Sequence, residues 1–242
     1  MVSKPMVFPA RIWPTLDALD AHWASDQGQV IEAEKAKLAR AFLTDQVPGR
    51  PRTLVIGPVS APLLQSLTHL KPAVMFQAYP PAIGFRQGAV PALMMDMDLP
   101  PFQRACFDLV VVSYVLEYET SPLALLSLIY EILQPQGRLL TFVPHAMGAD
   151  AAGPGQGAGF WGMQVWGLLR QSAFIRRKQG LVRQNQWRPT SLVHLSQPQV
   201  PPRPSGRIPI LPRFEEIWRT KRVPDMAAPG QTRIRSGQTR IK

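Results

Sequence analysis

The chain has 242 residues, of which 45% are hydrophobic, and this is enough for one large domain with a sizeable core. Its single cysteine, Cys106, excludes an intramolecular disulfide framework, and no apolar run approaches the roughly 18 residues of a membrane-spanning helix. The formal net charge is +11, but it is unevenly spread, because ten Arg and Lys residues and only three acids follow Val200.

The N-terminal part of the chain begins with an arm that prolines interrupt. No small-residue cleavage site follows residues 1–14, so we expect an irregular arm without a signal peptide, and a cytoplasmic protein. Over residues 15–43 the apolar spacing is helical, with a break near residues 25–28. The second helix is predicted to be amphipathic, with one solvated face that carries Glu32, Glu34, Lys35, Lys37 and Arg40.

The middle of the chain alternates short apolar runs with helical or loop segments. Strands are predicted at residues 53–56, 73–78, 92–95, 108–112 and 139–143, and helices at residues 61–70 and 122–133. Pro62 and Pro122 fit the first turn of a helix, and the Pro and Gly of residues 134–137 are typical of a helix end. This alternation predicts an α/β domain with a doubly wound, mostly parallel, Rossmann-like sheet and helices on both faces.

The C-terminal part is predicted from weaker patterns. A Gly/Ala-rich loop is expected at residues 146–159, then a helix over residues 160–180 that ends in Arg176, Arg177 and Lys178, and then antiparallel edge strands at 192–195 and 208–211. After Pro224 the segment GQTRI occurs twice, which is typical of a disordered basic tail. Such a tail binds nucleic acid or an acidic membrane surface, or is only a solubilising extension. We therefore predict an arm at 1–14, one domain at 15–223 with its core at 53–145, and a tail at 224–242.

Candidate site residues follow from the predicted sheet, since open α/β sheets bind ligands beyond the carboxyl ends of their strands. The positions directly after the strands are residues 57–60, 79, 96–98, 113–117 and 144–145. The four scattered histidines and the one cysteine predict no metal site, and no P-loop or G-x-S-x-G motif is present.

The order of motifs over residues 23–144 resembles the class I S-adenosylmethionine-dependent methyltransferases of the small-molecule type 11 group. The resemblance is carried by Asp96 with Leu99 and Pro100, by the strand residues 107–110, by residues 115–117, and by residues 131–140, which are similar to the group's helix-to-strand signature. Trp23, Gly28 and Glu34 fit the spacing of an N-terminal segment that caps the cofactor in some members. The resemblance implies a methyltransferase sheet, S-adenosyl-L-methionine as cofactor, and a small-molecule acceptor.

The resemblance also implies roles for single residues. The implied cofactor-binding residues are Gly57, Pro58, Asp96, Met97 and Ser113. Glu117 and Tyr118 are implied in the acceptor pocket, and His145 is the best placed general base. Structural alternatives stay open: His145 as a loop histidine, Asp96 as a loop cap, Glu117 as the partner of a nearby base, and Tyr118, Trp161 and Trp166 as core aromatics.

The first motif of the group is only partly present. Residues 54–61 keep the first glycine, but Val55 stands where the group has an acid, Val59 and Ala61 stand where it has further glycines, and no acid follows the second predicted strand. Two hypotheses result: an active methyltransferase, or a catalytically degenerate methyltransferase-fold protein that acts as a binding or scaffolding module. A third, methylation of nucleic acid, depends only on the tail charge, and the chain lacks an Asn/Asp-Pro-Pro-Tyr motif.

Overall fold

The computed structural model describes residues 14–86, 88, 90–96, 101–145, 162–183 and 189–199. All of these lie in one compact unit that ends at Ser205; a second unit, Gly206–Lys242, lies outside the described residues. In chain order the elements of the described part are α1 (Leu16–Ala24), α2 (Asp26–Leu43), β1 (Arg52–Ile56), α3 (Ala61–Thr68), β2 (Val74–Tyr79), β3 (Ala92–Met94), β4 (Phe107–Ser113), α4 (Pro122–Ile132), β5 (Leu133–Pro144), α5 (Gly162–Gln171), β6 (Phe174–Arg183) and β7 (Pro189–Pro198).

The strands form a seven-stranded sheet in the order β3-β2-β1-β4-β5-β7-β6. The first five strands of this order are parallel, while β7 runs antiparallel to β5 and β6 antiparallel to β7. The predicted doubly wound, mostly parallel sheet with an antiparallel edge is therefore confirmed.

Each face of the sheet is covered by helices through its own apolar cluster. On one face, α4 and α5 pack against β4 and β5 through residues such as Leu126, Ile129 and Leu169. On the other face, α2 and α3 contribute Ile31, Leu43 and Leu63. Helices cover both faces because the central strands are buried on both sides, as β4 illustrates with all its residues from Leu109 to Ser113 buried.

The junction of α1 and α2 confirms the predicted break near residues 25–28. Ser25 ends α1 and caps α2, because its Oγ accepts a hydrogen bond from the Gly28 N–H at 3.1 Å. A Cβ on Gly28 would lie 1.9 Å from the His22 carbonyl oxygen, so only glycine permits this close approach of the two helices. Both helices are thereby placed near the carboxyl ends of β1 and β2, where the site lies.

Two predictions for the later part of the chain are wrong. The helix expected over residues 160–180 is in its described part the short α5 followed by β6, and Arg176, Arg177 and Lys178 lie on this outer strand. Ala173, with φ of +60°, ends the helix, and pairing with β7 then holds the following residues extended. β5 also starts earlier than predicted, since Leu133 already pairs with Phe107 before a register irregularity in β4.

Several predictions fall outside the described residues. These are the arm up to residue 13, the loop at 146–159, the strand at 208–211 and the tail at 224–242. The domain boundaries and the nucleic-acid interpretation of the tail therefore stay predictions. In the part of the chain that the structure describes, no helix is long and apolar enough to cross a membrane.

Candidate functional site

A cavity of about 730 Å³ lies at the carboxyl ends of β1 and β2, and we call it the larger cavity. The turn after β1 and the start of α3 form one wall through residues 58–62, and β2 contributes Gln77 and Tyr79. The helices α1 and α2 line it from the other side, with Trp23 and Glu32 among their contributions. A groove of about 620 Å³ at the opposite, amino-terminal edge is lined by residues 45–48 and 134–138, away from the edge where such sheets bind ligands.

An ion pair borders the larger cavity. Arg86, from the segment after β2, bonds to the Asp20 carboxylate on α1, and its Nη2 lies 3.6 Å from Asp17 Oδ1. Tyr79 packs edge to face on Phe85, with ring centroids 6.1 Å apart. Burial raises the pKa of the Tyr79 phenol, so this group stays protonated near neutral pH and can donate a hydrogen bond.

Gly57 shapes the turn after β1. Its φ is +93°, and its N–H donates to the Ala78 carbonyl oxygen at 2.8 Å. A Cβ at this position would lie 2.1 Å from the Ser113 carbonyl oxygen, while the Gln77 amide donates to the Gly57 carbonyl oxygen at 3.2 Å. Gly57 therefore fits against β4, and its neighbour Pro58 lines the larger cavity.

A smaller cavity of about 320 Å³ lies between the ends of β2, β3 and β4. Asp96 and Tyr118 line it together with Pro80, Pro81 and Ser121. The structure thus brings together one predicted cofactor ligand and one predicted acceptor-pocket residue. Met97, the neighbouring candidate, lies outside the described residues.

Ser113, Glu117 and His145 line neither of these two cavities. Ser113 and Glu117 are each 1% exposed, and Ser113 contacts Gly57 through its carbonyl oxygen. His145 is partly buried, and its backbone N–H donates to the Thr190 carbonyl oxygen at 2.8 Å. Burial lowers the pKa of the His145 ring, which is therefore neutral near pH 7 and able to accept a proton.

The solvated face predicted for α2 is wrong for two of its residues, Glu32 and Lys35, which are each 2% exposed. Glu32 Oε1 accepts from Lys35 Nζ at 2.8 Å and from the Tyr114 hydroxyl at 3.0 Å, and Oε2 accepts from Ser60 Oγ at 2.7 Å. We call these four residues the Glu32 network. The signal that locates them is their helical phase, because positions 32 and 35 fall within the buried stripe that Ile31, Ala36, Ala39 and Leu43 define.

The comparisons with known proteins agree with this architecture. Residues 75–141 match the Methyltransf_11 family, described as a methyltransferase domain. No curated protein matches the sequence.

Three similar solved structures illustrate the likeness. An S-adenosylmethionine-dependent methyltransferase from Aquifex aeolicus is 12% identical with a TM-score of 0.57, and the match covers 74% of this chain and 96% of that one. The N-methyltransferase NodS from Bradyrhizobium japonicum WM9, in complex with S-adenosyl-L-homocysteine, is 19% identical with a TM-score of 0.55, covering 75% and 97%. The [4+2]-cyclase SpnF is 14% identical with a TM-score of 0.54, covering 79% and 88%. At these identities the likeness establishes the fold.

Proposed function

We propose that this protein is a class I S-adenosylmethionine-dependent methyltransferase that methylates a small-molecule acceptor, a proposal supported by its sheet order and by the match of residues 75–141 to a methyltransferase domain. The observation that carries the proposal is the position of the larger cavity. It lies beyond the carboxyl ends of β1 and β2, where doubly wound sheets bind ligands, and its volume of about 730 Å³ is in the usual range for ligand sites.

The lining of the larger cavity suits a nucleoside that carries an amino-acid chain. Leu16, Trp23 and Leu64 provide apolar surface, while Glu32 and Gln77 provide polar groups. When bound, S-adenosylmethionine supplies a methyl group already activated on a sulfonium, so the protein has to orient an acceptor and exclude water. The cover that α1 and α2 give the cavity supports the exclusion of water.

The roles of single residues form part of the proposal. Pro58 contacts the cofactor and Gly57 sets the turn that carries Pro58, while Asp96 and Met97 bind the nucleoside and Ser113 supports that pocket from β4. Glu117 and Tyr118 belong to the acceptor side. His145 acts as the general base where the acceptor has to lose a proton, and its lowered pKa supports this role.

A second function, a binding or scaffolding module without catalysis, is favoured by the packing of Gly57. The contact with the Ser113 carbonyl oxygen requires glycine there for folding, whether or not a cofactor binds. The likeness to a protein named for [4+2] cyclisation is a reminder that this fold by itself does not imply methyl transfer.

Calorimetric titration and thermal-shift measurement with S-adenosylmethionine and S-adenosylhomocysteine test the proposal. We expect saturable binding of both nucleosides. A matched pair of variants locates the site: Ala33→Phe adds bulk in the larger cavity and should abolish binding, whereas Ala41→Phe adds the same bulk on α2 outside that cavity and should leave binding unchanged. No heat and no thermal shift at millimolar ligand would refute the methyltransferase function and leave the binding module.

A further inference from the structure

The Glu32 network places a carboxylate at the wall of the larger cavity. Glu32 and Ser60 both line that cavity, whereas Lys35 and Tyr114 do not. Glu32 Oε2 accepts from Ser60, which lines the cavity, whereas Oε1 is held by Lys35 and Tyr114, which do not line it. This arrangement fixes the orientation of the carboxylate before any ligand arrives.

A second carboxyl group is buried near the Glu32 network. Glu117, which is 1% exposed, lines a small void together with Lys35 and Tyr114. Among the described residues, the Glu32 and Glu117 carboxyl groups are thus both buried near the Lys35 ammonium group. Arg86, which also lines the larger cavity, is 45% exposed and is paired with Asp20 at the border. A carboxylate held at a cavity wall can accept a charge-assisted hydrogen bond, so a cationic group of a ligand placed beside Glu32 would be stabilised.

We propose that Glu32 binds the ammonium group of the amino-acid end of S-adenosylmethionine, with Lys35, Tyr114 and Ser60 as its positioning residues. This inference rests on the proposed function and specifies which end of the cofactor meets α2. β1 contributes no competing carboxylate, because Val55 is fully buried in the apolar cluster against α2 and α3. The nucleoside part then extends along the apolar lining toward Tyr79.

Two probes isolate the ammonium group: S-adenosylhomocysteine and its desamino analogue, which keeps the carboxylate and lacks the amino nitrogen. The full-length wild-type protein should bind S-adenosylhomocysteine at least about tenfold more tightly than the analogue, as expected for a charge-assisted hydrogen bond. Glu32→Gln keeps the side-chain shape and should remove most of this preference. Glu131→Gln, at a 45% exposed carboxylate on α4 that pairs with Arg104 and does not line the larger cavity, should keep it.

Each outcome decides the proposal. Equal wild-type affinity for the two probes overturns it without any variant, even if Glu32→Gln fails to fold. A Glu32→Gln protein that keeps the preference overturns it too, and equal weakening of both probes would show a purely structural role. Ser60→Ala, which removes one donor but no charge, should narrow the preference only about two- to threefold. Wild-type protein that binds neither probe refutes the proposed function and this inference together, whereas binding without preference refutes this inference alone.

Discussion

Two ion pairs stand at opposite ends of the same two neighbouring strands. Arg52 begins β1 and Asp108 lies at the start of β4; the carboxylate accepts from the Arg52 backbone N–H at 2.9 Å and from Nε at 3.0 Å. The carboxyl ends of these strands lead instead into Ser60 and Tyr114, which hold Glu32 and its partner Lys35. The first pair has side chains 44% and 22% exposed, and the second has both at 2%.

The two ion pairs contribute differently to stability because one is exposed to water and the other is buried. An ion pair in contact with water contributes little to stability, because water screens it and competes for its groups. A buried pair loses the hydration of both charged groups. The attraction between the two charges seldom exceeds this desolvation cost, so stability alone does not explain why the pair is buried. The proposed binding role would account for the position of the buried pair beside a cavity, whereas the exposed pair joins the starts of β1 and β4.

The largest effect is expected at Lys35. Lys35→Met removes the ammonium group and leaves the Glu32 carboxylate buried without its cation, which should lower the free energy of unfolding by about 3–5 kcal/mol. Urea denaturation measures this loss. Lys37→Met is the control on the same helix, because Lys37 is 75% exposed and pairs with Glu34 at 3.4 Å, and its loss should stay below about 0.5 kcal/mol. Similar losses in both variants would show that the buried ammonium group of Lys35 stabilises the fold no more than the exposed one of Lys37.

At Gly57 the expected effect is next in size. Gly57→Ala places a methyl group against the Ser113 carbonyl oxygen at a positive φ, and should cost about 2–4 kcal/mol. Gly84 has the same φ of +93° but nothing within 4 Å of the added Cβ, so Gly84→Ala should cost only about 1 kcal/mol. Chemical denaturation of the two variants separates the collision of the added Cβ from the backbone strain. Equal losses in the free energy of unfolding would show that the collision with the Ser113 carbonyl oxygen contributes nothing.

His194 extends the comparison to a buried group on β7 that titrates. Burial, with a smaller contribution from Arg176, lowers its pKa to about 4, whereas the unfolded value is about 6.5. The unfolded chain therefore takes up a proton that the folded chain refuses, and stability present above pH 6.5 is lost as the pH falls toward 4. Between pH 7 and pH 5 the loss should be about 2 kcal/mol.

Denaturation of His194→Gln across this pH range provides the check on that value. The free energy of unfolding of this variant should depend less steeply on pH than that of the wild-type protein. Burial lowers the pKa of His145 too, so the His194→Gln variant should keep a weaker pH dependence of its free energy of unfolding. If the free energy of unfolding of His194→Gln depended on pH as steeply as that of the wild-type protein, His194 would not be the source of this dependence.

The smallest effect is expected at the exposed pair. Arg52→Gln should lower the free energy of unfolding by less than about 1 kcal/mol, and the difference should shrink further in concentrated salt because mobile ions screen exposed charges. Asp108→Ala should cost more than Arg52→Gln, since it also removes the acceptor of the Arg52 backbone N–H. If Arg52→Gln lost as much free energy of unfolding as Lys35→Met, burial would not explain the difference between the two pairs.

The central part of the fold could be predicted from sequence because its signals are local. The apolar residues of β1 and β4 and the prolines at the starts of α3 and α4 act within a few positions of the chain. The strand β6 could not, because Arg176, Arg177 and Lys178 satisfy a helix end equally well, and only pairing with the later β7 selects the extended form.

The site was predictable only as an edge of the sheet. The rule on strand ends places Pro58 and Asp96 at cavities, but it does not say that they line two different ones. The burial of Glu32 depends on Tyr114, which is 82 positions away in the chain. The charge of Glu32 therefore predicted a solvent-exposed side chain. The hydrogen bond with Tyr114 shows why its carboxylate is buried instead.

The outer position of β6 has a consequence for how this protein behaves when it is concentrated. Arg176, Arg177 and Arg183 are exposed along this strand, and Arg177 lies at a register irregularity in the pairing with β7. A second molecule that added a strand here would bring like charges together on a bulged and uneven edge. At the other side of the sheet, β3 offers only three residues for pairing. Both borders thus disfavour the edge-to-edge growth from which fibrillar aggregates start.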